Sequence, residues 1–174
     1  QGDVPTEIGI VFASQTTDVV LRSSPLTLAM TLSSDTNIGE TIKYGDRMRL
    51  TINYANSSSE PLEDVSVAVT LSGDAAIYNT INPTSGYYNS IAKTITWNKA
   101  TFPDLAVLVP NGQGTLEIMI PIVAKGTNSP TLKVVAQGVG TSKATDDVVS
   151  TLTKTYAVSG SATLVASTQY KSSS

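Results

Sequence analysis

A carboxylate pair or a Ser-Lys dyad would have to carry any catalysis in this protein, because its sequence contains no histidine and no cysteine. The absence of both residue types excludes Ser-His-Asp and Cys-His nucleophilic sites and the usual zinc sites. A glycosidase would instead need two carboxyl groups about 5–9 Å apart across a cleft. The acidic residues available for such a pair are scattered over loops and outward strand positions: Glu60, Glu63, Asp64, Asp74, Asp104 and Glu117. We therefore expect no catalytic residues and no enzymatic activity.

Two acidic segments are the only candidates for a calcium site, since calcium prefers carboxylate and carbonyl oxygens. The segment "SEPLED" contains Glu60, Glu63 and Asp64, and the segment "KATDDVVS" contains Asp146 and Asp147. Neither has the Asp-x-Asp-x-Asp-Gly spacing of a calcium-binding loop. We expect no metal ion and no cofactor, and a calcium ion bound by loop carboxylates stays an alternative.

Aromatic side chains near turns would be the contacts for a sugar: Tyr78, Tyr87, Tyr88 and Phe102. Stacking on a sugar needs two or three exposed rings in one plane. Tyr87 and Tyr88 point in opposite directions in an extended chain, so at most one of them is free. Trp97 shares its parity with Ile91 and Ile95, which predicts that all three face the core.

Lys93 has the same inward parity as Ile91 and Ile95. A buried lysine needs a partner, and one arrangement is an isopeptide bond to an asparagine on a neighbouring strand. The last predicted strand, "ATLVASTQY", contains neither Asn nor Asp. We therefore prefer a lysine whose stem is buried and whose amine reaches solvent at the end of the sheet.

Asn56 begins the one acceptor sequon for N-glycosylation, "NSS". In "NSP" and "NPT" a proline occupies the last or the middle position. The sequon lies in a predicted loop, where a glycan would reach solvent.

The composition favours a secreted or cell-surface β protein. Hydrophobic residues make up 40% of the 174 residues and charged residues only 14%. Roughly a quarter of the chain is Ser or Thr, so hydroxyl groups replace charges on the surface. A net charge of −3 argues against binding to nucleic acid or to anionic lipid. No apolar stretch approaches the roughly 18 residues of a membrane span, so we expect no membrane insertion.

Apolar and polar residues alternate over most of the chain, and turn-forming segments separate the alternating stretches. This pattern predicts an all-β fold, an antiparallel β-sandwich of seven or more strands. Its predicted core contains Ile52, Tyr54, Val67, Val69, Trp97, Ile118, Ile120 and Val134. The two strands flanking "NSSSEP" are expected to form a hairpin that serves as scaffold, with its loop free for glycan or partner contact.

Two segments break the alternation. "FPDLAVLVP" is expected to be a loop with at most one helical turn that crosses between the sheets. Pro121 lies inside "LEIMIPIVA", and proline cannot donate a hydrogen bond to a neighbouring strand. That strand is therefore predicted to lie at a sheet edge or to contain a bulge.

The N-terminal segment differs from the rest, and we divide the chain into an arm (residues 1–24) and a sandwich (residues 25–174). The stretch "IGIVFAS" is apolar on both faces, as expected for a strand that must find a partner. Ile8, Ile10, Val11 and Phe12 are its candidate residues for completing the sheet of another module, although pairing with its own domain stays an alternative.

The order of several motifs resembles the DUF11-like, immunoglobulin-like repeat modules of prokaryotic surface proteins. These motifs are a Gly-Asp turn (45–46), Tyr-x-Asn (54–56), Leu-x-Asp-Val (62–65), Ile-Thr-Trp (95–97) and a Pro-Asn-Gly turn (110–112). The last turn is one residue longer than the common form, and the resemblance covers about residues 26–170. It implies an immunoglobulin-like sandwich at the cell surface and supplies no catalytic residues.

These observations leave two classes of function. The first is a non-enzymatic extracellular module, either a filament subunit or one bead of a stalk, whose partners are itself or neighbouring modules of the same polypeptide. The second is an adhesin-type module that recognises a glycan or a surface protein through its loops. The arm favours the first class, since the sequence has no clear pocket.

Overall fold

The computed structural model describes residues 24–34, 42–123, 130–143, 147–157 and 167–170. Within these ranges the chain forms antiparallel strands and two short 3₁₀ turns, at Tyr78–Thr80 and Pro103–Leu105. The strands are β1 (Leu26–Ser34), β2 (Arg47–Asn56), β3 (Leu62–Gly73), β4 (Tyr87–Asn89), β5 (Thr94–Trp97), β6 (Val107–Leu108), β7 (Gln113–Pro121), β8 (Thr131–Thr141), β9 (Asp147–Ala157) and β10 (Ser167–Tyr170).

The strands form two sheets of unequal width. The smaller sheet has the order β1-β2-β7, and the larger one has the order β10-β9-β8-β3-β5-β4, with β6 also paired to β3. Strands β1, β2 and β7 take the positions of strands A, B and E of an immunoglobulin domain, and β3, β8 and β9 those of strands C, F and G. The predicted antiparallel, immunoglobulin-like sandwich of seven or more strands is confirmed.

The core lies between the two sheets and follows the alternation in the sequence. Strand β2 shows the pattern clearly, since its even-numbered residues are all buried. All eight predicted core residues are at most 3% exposed, which confirms them. Burial of each such aliphatic side chain contributes about 1.5–3 kcal/mol. Trp97 is completely buried on β5, opposite Val67 of β3.

The predicted hairpin around "NSSSEP" is wrong. Both flanking segments are strands, but β2 belongs to the smaller sheet and β3 to the larger one. The loop between them therefore carries the chain across the sandwich. The period of two identifies the residues that face the core and does not identify the neighbouring strand.

The prediction for "FPDLAVLVP" is confirmed in its single helical turn and its crossing between the sheets, whereas the short strand within it was not predicted. The segment contains one 3₁₀ turn, Pro103–Leu105, whose Leu105 is buried, and then the two-residue strand β6. Strand β6 pairs with β3, at Leu62 and Glu63, before a turn takes the chain to β7 in the other sheet.

Candidate functional site

Strand β7 lies at an edge of the smaller sheet, with β2 on one side and no described strand on the other. Pro121 is the last residue of this strand, and among the described residues the strand lies at a sheet edge, as that proline predicted. In an immunoglobulin domain of the constant type, strand D occupies the position beside strand E. Among the described residues no strand occupies that position, because β4 and β5 both belong to the larger sheet.

Hydrogen bonds at the end of β7 define the direction of its backbone groups. The Ile122 N–H donates to the Asp46 carbonyl on the β2 side (2.9 Å), whereas the Pro121 carbonyl accepts from the Ile77 N–H on the opposite side (2.8 Å). Successive residues of an antiparallel strand direct their backbone groups to opposite sides. The odd-numbered residues of β7 therefore direct their N–H and C=O groups away from β2.

Among the described residues, backbone hydrogen bonds reach the side of β7 away from β2 only near its C-terminal end. There the Val123 N–H donates to the Ala75 carbonyl (2.9 Å). Further along the strand, Thr115, Glu117 and Met119 direct their backbone groups outward, and no described strand pairs with them. Unpaired backbone groups of this kind form a template for another strand.

A depression of about 460 Å³ with a mixed polar and apolar lining borders this edge. It is lined by Arg47, Ile77, Thr80, Asn82, Met119 and Pro121. Ile77 is 37% exposed, although it is a large apolar residue. On the inner face of the same strand, Leu116, Ile118 and Ile120 are buried in the core. The charged Glu117 side chain lies on the solvent-facing side of the sheet, 3.5 Å from the Arg49 guanidinium, and so does not cover the core-facing side of the strand.

The remaining edges of the described sheets are shorter than β7 or, in the case of the equally long β1, interrupted by a side-chain hydrogen bond. At the edge formed by β1, the Lys154 amine from the opposite sheet donates to the Met30 carbonyl (2.6 Å). Strands β4 and β10, at the edges of the larger sheet, contain only three and four residues. The edge of β7 therefore offers the longest run of outward backbone groups without a described partner.

The aromatic residues do not form a sugar platform in the described part of the chain. Trp97 is buried as predicted. Tyr87 is 64% exposed, whereas the half-buried Tyr88 donates its hydroxyl to the Tyr78 carbonyl (3.0 Å), so the prediction that only one of the pair is free is confirmed. The Lys93 amine covers the Tyr78 ring, 4.0 Å from the ring centroid.

The inward position predicted for Ile91 is wrong, since this residue is 94% exposed. Strand β5 begins only at Thr94, and Lys93 has a φ of +52°, which ends the alternation at the turn before the strand. Lys93 is half-buried, and its amine packs on a tyrosine ring instead of forming an isopeptide bond to a residue on a neighbouring strand.

Burial raises the pKa of three tyrosines above its ordinary value. For Tyr54 the main cause is loss of solvation, and the Asp104 carboxylate adds to the rise in pKa. Loss of solvation also raises the pKa of Tyr78 and Tyr88. These phenols remain protonated in the folded protein at neutral pH.

Two acidic residues of the described chain have assigned partners of their own. Asp64 forms an ion pair with Lys99 (2.7 Å) beside a bulge in β3, and Asp74 accepts a hydrogen bond from the Thr131 N–H (2.8 Å). Within the described ranges, no three acidic side chains are close enough to hold a metal ion. Of the predicted calcium candidates, Asp146 lies outside the described residues.

The accessible glycosylation site predicted at Asn56 is wrong for the folded chain, because this residue is only 1% exposed. Its Nδ2 donates to the carbonyls of Glu60 (2.8 Å) and Leu108 (2.9 Å), and its Oδ1 accepts from the Ser58 N–H (2.9 Å). A glycan on Nδ2 would displace these bonds. The amide instead ties the loop after β2 to strand β6.

The four candidate residues of the arm, Ile8, Ile10, Val11 and Phe12, lie outside the described residues. The sequence also did not identify the backbone of β7 as an acceptor for another strand. Pro121 was the available signal, since it marked the strand as an edge. No helix in the described ranges has the length and apolar composition that crossing a membrane requires.

Comparison with known proteins supports the fold alone. No protein-family model and no curated protein matches the chain. A similar solved structure is AvmM, which catalyses macrocyclisation in alchivemycin A biosynthesis; it is 9% identical, with a TM-score of 0.51 over 81% of this chain and 92% of that one.

Two further structures are a DUF4466 family protein from Parabacteroides merdae (14% identity, TM-score 0.40, 76% of this chain) and the Fcho1 Mu homology domain from Danio rerio with bound Eps15 peptide (20% identity, TM-score 0.39, 78% of this chain). The chain covers 45% and 48% of their lengths.

Proposed function

We propose that the protein is a non-enzymatic, extracellular structural module, a filament subunit or stalk bead, that assembles by strand complementation through its N-terminal arm. The observation that supports this proposal is the unequal width of the sandwich. A sheet of three strands faces a wider one, and the position beside β7 has no described strand. A module of this kind gains backbone hydrogen bonds when a strand is added.

The contact proposed here is heterologous, since the arm of one copy meets a different surface on the next. Heterologous contacts need not close, so they generate open chains of subunits. The four apolar side chains of "IGIVFAS" would contribute roughly 6–12 kcal/mol at most, before the entropy of ordering is subtracted.

Deletion of residues 1–16 tests this function. We expect the full-length chain to form linear assemblies in sedimentation and in negative-stain images, and the truncated chain to remain a folded monomer. If the arm instead completes its own sheet, the deletion should sharply lower the melting temperature and leave the association state unchanged, which would contradict the proposal.

A second candidate function, an adhesin-type module, is favoured by a depression of about 460 Å³ on the outer face of the smaller sheet. Ala29 and Ala55 line it, together with the polar side chains of Thr27, Asn53 and Gln113. Neutral amides and hydroxyls suit a neutral sugar. Binding of neutral oligosaccharides by the wild-type chain, lost in Asn53→Ala and retained in Arg47→Ala, would support this function.

A further inference from the structure

We propose that the outer edge of β7, at Thr115, Glu117 and Met119, is the acceptor site for residues 8–12 of a second copy of this chain. This inference rests on the proposed function and names the surface at which that assembly occurs. The added strand would take the position that strand D occupies in an immunoglobulin domain.

The backbone of β7 matches the length of the proposed donor strand. Residues 115–119 span about 13 Å at the usual rise of a strand, and five residues of the arm span the same distance. Thr115, Glu117 and Met119 direct their N–H and C=O groups outward, and Pro121 has the same outward parity. A proline is tolerated at such a position because its missing N–H would not have served the pairing with β2.

The side chains on both faces of the edge also match the arm. On the inner face, the added strand would extend the apolar row of Leu116, Ile118 and Ile120. On the outer face, the exposed Ile77 and the half-buried Met119 line the neighbouring depression. An added strand therefore meets an apolar row on the core side and, on the solvent side, a mixed surface in which Ile77 and Met119 are apolar and Glu117 is charged. The apolar residues of "IGIVFAS" at alternate positions would pack on the core side.

The point at which the chain enters the sandwich favours a second copy over the chain's own arm. The Pro25 carbonyl accepts a hydrogen bond from the Ser57 N–H (2.8 Å), which holds the start of β1 on the far side of β2 from the open edge. The arm of the same chain would have to cross the end of β2, where the Asn56 N–H is already bonded to Gly112 (2.9 Å). The arm of a neighbouring copy avoids this crossing.

Two full-length variants test the acceptor site, one on each side of the contact. Glu117→Pro removes the central outward N–H and should abolish assembly, while the matched control Glu117→Ala keeps this N–H and should assemble like the wild type. Ile10→Asp places a charge in the donor strand and should also abolish assembly. Melting temperatures establish that the variants are folded, and Thr115→Pro replaces Glu117→Pro if that variant does not fold.

Mixing the two assembly-deficient variants gives the decisive measurement. Glu117→Pro retains an intact arm and Ile10→Asp retains an intact edge, so an equimolar mixture should sediment as a dimer that cannot grow further. Hydrogen exchange at the Met119 amide should slow at least about tenfold in the wild-type assembly relative to Ile10→Asp.

The alternative outcomes separate the failure of this inference from the failure of the proposed function. Assembly that survives Ile10→Asp, or a wild-type chain that is always monomeric, would contradict the function. Loss of assembly in Ile10→Asp but not in Glu117→Pro would overturn only the acceptor site. Slow exchange at the Met119 amide in a monomeric wild-type chain would show that the edge receives the chain's own arm.

Discussion

Replacement of Asn56 by alanine tests whether one buried amide holds the end of the sandwich together. In the wild-type chain the Asn56 side chain donates to the carbonyls of Glu60 (2.8 Å), Leu108 (2.9 Å) and Val109 (3.3 Å). Its Oδ1 accepts from both the N–H (2.9 Å) and the hydroxyl (2.7 Å) of Ser58. Asn56→Ala removes all of these bonds and leaves their partners in place.

The expected cost follows from the burial of each partner. The bond to the Leu108 carbonyl is buried, and an acceptor left there without a donor costs about 1–3 kcal/mol. The bonds to Glu60 and Ser58 are only partly buried, so water replaces the lost partner and each loss costs about 1 kcal/mol. The total is about 3–5 kcal/mol, which corresponds to a fall in melting temperature of roughly 10–15 °C for a chain of this length.

Urea unfolding of the wild type, Asn56→Ala and Ser58→Ala measures this difference. Ser58→Ala is the matched control, because it removes a hydroxyl from the same loop and should cost less than about 1 kcal/mol. Asn56→Asp adds a pH readout: its carboxylate would face two carbonyls, so the penalty should shrink as the pH falls and the group becomes protonated. If Asn56→Ala costs no more than Ser58→Ala, the assignment of this amide as a structural tie is refuted.

Three further predictions concern the core and its tyrosine. Val67→Asp should unfold the domain, visible as loss of the cooperative thermal transition, because it buries an unpaired charge at a fully buried position; Val67→Ala should remain folded. Gly114→Ala should lower the unfolding free energy by about 1–3 kcal/mol, because the new methyl group would overlap the buried Tyr54 phenol. A double-mutant cycle with Tyr54→Ala should show that the effects of the two substitutions on stability are not additive. The pKa of Tyr54 is raised above 10.0 in the folded state, so its contribution to stability is fully present below pH 10 and is lost as the pH rises through the raised pKa. Tyr54→Phe should therefore reduce the fall in unfolding free energy above about pH 10, measured by urea unfolding. The same fall per pH unit in Tyr54→Phe and the wild type would contradict the prediction.

The strands and core were predictable from the sequence because burial on one face of a strand imposes a period of two. Val67 and Val69 of β3 and Ile118 and Ile120 of β7 follow that rule and are buried. The rule failed at Ile91, where the positive φ of Lys93 ends the alternation before β5 begins. The alternation of apolar and polar residues does not reveal such a turn unless a glycine or an Asn-Gly pair at the turn indicates it.

The pairing of strands and the role of Asn56 were not predictable for a different reason. The sequence "NSSSEP" has the composition of a hairpin loop, but the partners of β2 are β1 and β7, whose positions depend on contacts distant in the sequence. The same holds for Asn56, whose main buried acceptor, the Leu108 carbonyl, is 52 residues away. From sequence alone, a polar residue at the end of a strand is interpreted as part of an exposed loop, because the segment that covers it is not known.

Asn56 also links the stability of the domain to its proposed assembly. Its backbone N–H donates to Gly112 (2.9 Å) and its carbonyl accepts from the Asn111 N–H (3.0 Å), so the turn that leads into β7 is bonded to the end of β2. At the other end of β7, the Ile77 N–H holds the Pro121 carbonyl. The strand is thus fixed at both ends while its middle keeps outward backbone groups without a described partner. A rigid acceptor loses little entropy when a strand is added, so an edge held in this way is suited to pairing.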